Sequence, residues 1–458
     1  MVRKSYKVRP NSWAGWLLAI YVVLVFTLGG GSRADIQSLI ILRPLAVALG
    51  ALGLWHLTRE HIRPHLFLFI MAGSFFSLIL LHLMPLPPLF WNALPGRHLV
   101  AEIDNTLGLM GVWRPLSLVP TATWNALFAL VVPFTVLIIS VQLDREQLFE
   151  LLPIILVIGL VSGFLGLLQA IGPAQGPLYF YRITNSDMAV GLFANRNHQA
   201  VFLATLFPML AVFASAGVRS TNQLRLRGWA SLAAAGFLIP LILVTGSRAG
   251  LLATVIGLVS SIFLYRPPEN LTPEKRKGVK SYARYIYVAI GAASFVAVTF
   301  LMARAEAIER LLSADATEDL RWATLGPIIN AAWQYFPIGS GIGSFVEVYQ
   351  VHEPASALVI NYVNHAHNDW VEILLTTGLP GALLAGLALW GYFKGAWSVV
   401  GRERSAGRDA QFARLGAVIL GMLALASLTD YPLRVPSLSC LFVVAAVWLS
   451  AGRKTGRS

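Results

Sequence analysis

From Trp13 to Leu449 the chain is a succession of apolar runs separated by short polar stretches. That pattern decides the fold class. A hydrocarbon core of about 30 Å takes roughly 20 apolar residues in helical form, and inside it every backbone N–H and C=O must be satisfied within the segment. With 56% hydrophobic and only 12% charged residues, the chain carries about half the charge of a soluble domain, and no ordinary soluble domain fits between the runs. The expected fold is all-α: a polytopic transmembrane helical bundle of about twelve helices, forming a single integral-membrane domain over 1–458. A large helical loop, 303–366, is inserted between the ninth and tenth helices.

The runs place helices at 13–31, 36–57, 65–84, 124–143, 147–171, 198–217, 228–246, 249–265, 284–302, 367–393, 413–430 and 437–451. The first run follows a basic tail and has no clear small-residue cleavage site after it, so it reads as a retained helix and not a removed signal peptide. Basic residues then alternate from side to side across the helices. One side takes the N-terminal tail, Arg59, Arg63, Arg145, Arg219, Arg225, Arg227, the 266–284 and 394–414 loops and the C-terminal tail, in all 24 of the 35 Lys and Arg residues, including every lysine. The positive-inside rule makes that side, with both termini, cytoplasmic. The other side holds ten, all arginine: Arg33, Arg97, Arg114, Arg182, Arg196, Arg248, Arg304, Arg310, Arg321 and Arg434. Arg43 alone lies inside a helix.

The net charge of +13 does not point to nucleic acid, because the basic residues sit in short loops and form no stripe or aromatic-interleaved patch. The single cysteine, Cys440, lies in an apolar run, which excludes a disulfide framework and a Cys-based metal site. Arginines retained on the outside raise a question of function, since planar guanidinium forks bind phosphate oxygens bidentately.

Four outside segments carry candidate chemistry. In 364–381, NHAHNDWVEILLTTGLPG, His365, His367, Asn368 and Asp369 gather where the chain enters the tenth helix. A neutral imidazole at a helix N-terminus suits a general base. The plain readings are an interfacial histidine bonded to a backbone carbonyl and an N-cap at Asn368 or Asp369. A zinc site is a third, though no clear third ligand accompanies His-x-His. In 245–250, TGSRAG, Ser247 can cap a helix whose first turn holds Arg248, directing N–H groups and a guanidinium to one place; against this, Arg248 can snorkel to headgroups.

In 321–345 the chain runs from Arg321 through Trp322, Trp333 and Tyr335, suited to the membrane surface, to Pro337 and then Gly339, Gly341 and Gly343. These glycines permit close approach to a ligand, and a flexible loop explains them as well. In 191–200, GLFANRNHQA, Asn195, Arg196, Asn197 and His198 stand at the mouth of the sixth helix, where capping and interfacial anchoring are the alternative.

Taken in order, GLFANRN-H, TGSRAG, R-W followed by PIGSGIGSF, and AHNDW-VEILLTTGLPG resemble the O-antigen ligase and polymerase superfamily of bacterial inner-membrane proteins. The motifs span about 190 to 385, and helix count and the large late loop extend the likeness over most of the chain. The resemblance implies an enzyme of lipopolysaccharide or other polysaccharide biosynthesis, similar to the multi-helix lipid-using glycosyltransferases, that takes a glycan from an undecaprenyl-diphosphate carrier without a nucleotide sugar or other cofactor. It makes His367 the candidate base and gives Arg248 and Arg321 the diphosphate, with His365, Asn368, Asn195, Arg196, Asn197, Ser247 and Gly341 lining the substrate site. Thr376 stands where many relatives carry an acidic residue.

The implied mechanism is direct displacement of the diphosphate by an acceptor hydroxyl, with the arginines in place of a metal. The acceptor is lipid A-core sugar, the growing glycan or a protein hydroxyl, which the residues do not decide. A transporter or flippase is the rival class. It is disfavoured because the chain lacks internal duplication and has almost no ionisable residue in mid-helix.

Overall fold

A computed structural model of the protein describes residues 12–268, 316–355, 358, 363–400 and 407–451. Numbered along the chain, its helices are α1 (Ser12–Leu28), α2 (Leu39–His56), α3 (Leu66–Leu83), α4 (His98–Thr106), α5 (Pro120–Ser140), α6 (Arg145–Ile171), α7 (Arg196–Ser215), α8 (Thr221–Val244), α9 (Arg248–Leu264), α10 (Ala316–Gln334), α11 (Phe345–His352), α12 (Asp369–Val400), α13 (Arg408–Ala426) and α14 (Pro436–Ala451). Eight helical stretches among the described residues are long and apolar enough to cross a membrane; α1, α9 and α14 are apolar but shorter. Eleven of the expected helices overlap helices of this set, most to within a few residues; the one expected at 228–246 starts at Thr221 and the one expected at 367–393 runs on to Val400. The expected helix at 284–302 lies outside the described residues, as do Arg304, Arg310, the basic tails and most of the 266–284 loop.

Side-chain caps fix where several helices start. Asp144, Asn195, Ser220 and Ser247 each accept a hydrogen bond from an N–H in the first turn of α6, α7, α8 and α9, satisfying donors that have no partner within the helix.

Burial ranks the helices by position. In α7, 94% of the apolar window is buried, against 17% of the stretch containing α3, so α7 is the axis of the bundle. The others pack around it: α6, α8, α9 and α13 touch α7 directly, and α14 packs on α13 and α5. The approach of α9 is unusually close, because a Cβ on Gly250 would stand 2.3 Å from the Cβ of Ala200. As a result α7 and α9 lie side by side with their first turns at the same end.

Two expected helices differ in detail, and both differences shape the site. The helix expected at 367–393 starts at Asp369 and is interrupted at Gly378, whose φ of 58° and ψ of −144° are not helical. Pro380 follows, and the Leu379 N–H turns outward to the carbonyl of Pro337 at 2.8 Å, where a Cβ on Gly378 would meet that oxygen at 2.1 Å. The helix expected at 413–430 stops at Ala426. Its last turn tightens, with the Thr429 and Asp430 N–H groups both donating to the Ala426 carbonyl, and Pro432 prevents continuation. Residues 427–435 are thereby released as a loop.

On the face where α7, α9, α12 and α14 begin, α10 and α11 form a small cap with its own apolar cluster of Ile328, Ala331, Tyr335, Phe345 and Tyr349. The segment before α5 is closed on itself by a two-residue antiparallel pairing of Pro85–Leu86 with Arg114–Pro115 and reaches this cap through the Leu118 N–H, which donates to the Ser340 carbonyl at 2.9 Å. Arg97 pins the layers together. It is fully buried, donates to the carbonyls of Leu116 at 2.8 Å and Gly339 at 3.1 Å, and lies against the rings of Trp91 and Tyr335; burial pushes its guanidinium down to about 10.

Candidate functional site

The released loop after α13 brings Asp430 to the first turn of α7 and to the histidines before α12. The Asp430 carboxylate accepts from the Asn197 side-chain amide at 2.9 Å and from the Tyr431 N–H at 3.0 Å. One oxygen, Oδ1, stands 3.4 Å from His367 Nδ1 and 3.6 Å from His198 Nε2. Burial alone would raise this carboxyl, yet the imidazoles of His198 and His367 hold it well below the usual carboxylate range. Tyr431 fills the centre of the cluster. Its ring centroid lies 5.0 Å from His198, 4.3 Å from His365 and 5.0 Å from His367.

His367 reaches Asp430 because its backbone leaves the helical path. Its φ is +49°, in the left-handed region that a side chain occupies only at a cost of about 1–3 kcal/mol. This turn directs one ring nitrogen at a carboxylate and leaves the side chain 23% exposed, the arrangement in which a carboxylate orients an imidazole.

His365 belongs to a second group. Its Nδ1 lies 3.2 Å from Glu372 Oε1, and the other Glu372 oxygen accepts the Ala366 N–H at 2.9 Å. Arg434 closes this group with Nη2 on Glu372 at 3.1 Å and Nε on Asp369 at 3.0 Å. Ser427 donates to the remaining Asp369 oxygen at 3.0 Å. Asn368 is the N-cap of α12, accepting from the N–H groups of Trp370 and Val371, and Asp369 is free for Arg434. The two histidines therefore face different carboxylates. Among the described residues no group of three His, Cys, Asp or Glu side chains is arranged to hold a metal ion.

The arginine segments meet at the paired starts of α7 and α9. Asn195 caps α7 through the Asn197 N–H at 2.8 Å, Ser247 caps α9 through the Gly250 N–H at 3.0 Å, and Arg196 and Arg248 are the first residues of those helices. A Cβ on Gly246 would lie 3.4 Å from Arg196 Nη1, so the Arg196 guanidinium rests against the TGSRAG turn. The N-terminal ends of α7, α9, α12 and α14 thus converge, each contributing about half a positive charge to the same region. Of the further arginines assigned to that side, Arg33 and Arg182 bind Asp35, Arg114 binds Asp104, and Arg97 and Arg434 are engaged as described. Arg321 lies in α10, with its side chain outside the described set.

Gly341, expected to approach a ligand, approaches protein. Its φ is +119°, and a Cβ there would stand 2.1 Å from Ser117 Oγ. The loop around it is sewn to α12, with the Ser340 and Gly341 N–H groups donating to the carbonyls of Leu375 and Thr376. This close packing by itself requires glycine here.

Residues 232–386 match the family model described as O-antigen ligase. That segment supports the likeness to the O-antigen ligase and polymerase superfamily. The match covers about a third of the chain and includes Ser247, Arg248, the glycine loop and His365 to Glu372, so the matched segment also carries both histidines of the 364–381 motif. Half of the cluster lies beyond it: Asn195 to His198 precede the match, and Asp430, Tyr431 and Arg434 follow it. No curated protein matches the chain.

Asp430, Tyr431 and the pairing role of Arg434 are not evident from the motifs. One signal was available. Asp430 is the only acidic residue after Asp409, and an isolated acid at the edge of apolar helices points to function more often than to solubility.

Proposed function

We propose that the protein transfers a glycan from an undecaprenyl-diphosphate carrier to an acceptor hydroxyl on the extracytoplasmic face of the bacterial inner membrane, as an O-antigen ligase-like glycosyltransferase. The contact between His367 and Asp430 carries this reading, because it presents an oriented imidazole in a superfamily of glycan ligases and polymerases. His367 accepts the hydroxyl proton of the acceptor as its oxygen bonds to the anomeric carbon. The bond from that carbon to the phosphate oxygen breaks, and undecaprenyl diphosphate leaves with the electron pair. Arg248, Arg196 and Arg321, with the convergent helix N-termini, bind the diphosphate and stabilise the charge that grows on it. Asn195, Asn197, Ser247 and Asn368 hold the helix starts that aim these groups. Gly341 shapes the wall behind them through its contact with Ser117.

The positive-inside distribution puts this face outside and both termini in the cytoplasm. A reporter fused after Ser458 is expected to be active only in its cytoplasmic form; activity of a form that works only outside would reverse the orientation.

Membranes containing the protein, supplied with an undecaprenyl-diphosphate-linked glycan, are expected to move the glycan to an acceptor and release the lipid diphosphate, with or without a chelator. A single addition on lipid A-core indicates a ligase, a ladder of lengths a polymerase, and a glycosylated protein an O-oligosaccharyltransferase. Failure to consume the donor under any acceptor would refute the reading, and loss of activity with chelator would refute metal independence.

A further inference from the structure

Asp430 faces two imidazoles. His198 Nε2 and His367 Nδ1 approach the same oxygen, at 3.6 and 3.4 Å, but the rings differ in setting. His367 is partly open to solvent, whereas His198 is 2% exposed. Neither ring nitrogen of His198 makes a hydrogen bond within the described protein, and its ring packs edge-on against Tyr431. Enclosing an imidazole whose donor and acceptor are both idle is costly, and buried polar groups normally find partners. The cost falls if the ring carries a proton and its charge is balanced by the carboxylate beside it.

We propose that His198 is a positioning residue for the transfer step: as an imidazolium it neutralises Asp430, and so keeps His367 in the neutral form that can accept the acceptor proton. The inference rests on the reading of His367 as base. With His198 cationic, a proton added to His367 places a second positive charge beside the first, which electrostatics disfavours. In the neutral ring, Nδ1–H faces Asp430 and the Nε2 lone pair is left for the acceptor hydroxyl.

The other titratable groups packed around these three do not take over the role. Tyr431 touches all three histidine rings. His365, Glu372 and Asp369 at the start of α12 are matched to Arg434. Arg196 and Arg248 occupy the adjoining helix starts and add positive potential. The Asp430 carboxylate, held well below its usual range, stays ionised at neutral pH.

The test is the pH dependence of glycan transfer in membranes with matched protein levels, from about pH 5.5 to about pH 9, with donor binding measured in parallel. In the wild type, transfer falls on the acid side as His367 gains a proton. In His198→Gln that fall is expected to begin about one unit higher, giving transfer that is lower by up to roughly tenfold at the acid end of the range and recovers to the wild-type rate near pH 9. His198→Lys, which restores a positive charge, is expected to keep the wild-type profile. His198→Asn carries the same expectation as glutamine if that variant does not accumulate. An equal loss at every pH in the neutral variants, or the same displaced profile in the lysine variant, would overturn the proposal. Full transfer by His367→Ala would instead overturn the base assignment, so the two failures are distinguishable.

Discussion

The glycine loop at 339–343 and the cluster around Asp430 lie at the same end of the bundle, and both are largely buried, but they treat polar groups differently. In the loop, the Ser340 and Gly341 N–H groups donate to α12 carbonyls, the Ile342 N–H donates to His82 Nδ1, and Thr123 donates to the Ile342 carbonyl. Each close approach there joins two protein groups. Around Asp430, the ring nitrogens of His198 and Nδ1 of His367 are buried without hydrogen bonds, beside a carboxylate and under converging helix N-termini. A protein accepts such a deficit where the groups are used for chemistry and pairs everything where they only hold structure. The same contrast divides the histidines, since His365 is paired with Glu372 and supported by Arg434 while His367 faces a carboxylate shared with His198.

That contrast is open to substitution. Asp430→Asn keeps the volume and removes the charge both rings face, and is expected to lower transfer on the order of a hundredfold while the protein still accumulates in the membrane. An active asparagine variant would mean that the carboxylate is structural. Arg248→Lys keeps the charge and loses the bidentate fork; at least a tenfold loss of transfer is expected, measured at equal membrane levels, and full activity would make Arg248 a headgroup anchor.

Gly341→Ala should act on stability and not on chemistry. The positive φ and the contact with Ser117 cost about 1–3 kcal/mol, so faster thermal inactivation with unchanged transfer per folded molecule is expected; a specific loss of transfer would return Gly341 to the substrate site. The smallest effect is expected for His365→Ala. Glu372 keeps Arg434 and the Ala366 N–H, so the loss is that of one hydrogen bond, about 0.5–1.5 kcal/mol, and transfer should fall by less than about tenfold.

Much of the fold was legible because hydropathy in a membrane leaves few choices. The apolar runs locate eleven described helices, and the caps at Asn195 and Ser247 mark two of the starts that build the site. Three features were not legible for local reasons. The apolar run through Ala426 continues to Leu428, so periodicity alone carries the helix to 430 and hides Asp430 inside it, although Pro432 marks the stop. The TTGLPG segment reads as a helix interior, but Gly378 breaks it because the Pro337 carbonyl comes from a distant loop. Gly341 carries the same residue type whether it admits a ligand or Ser117, and only the partner in space distinguishes them. His198 sat in a recognised segment without a role, because its partner is 232 residues away in sequence.

The central claim is that His367 acts on the acceptor hydroxyl and not on the lipid-linked donor. It is tested by measuring glycan transfer and donor binding together in His367→Ala at matched membrane levels. The account predicts transfer lower by about 10²–10⁴-fold with donor binding close to the wild type. Retained transfer, or a loss of donor binding large enough to explain the loss of transfer, would contradict it.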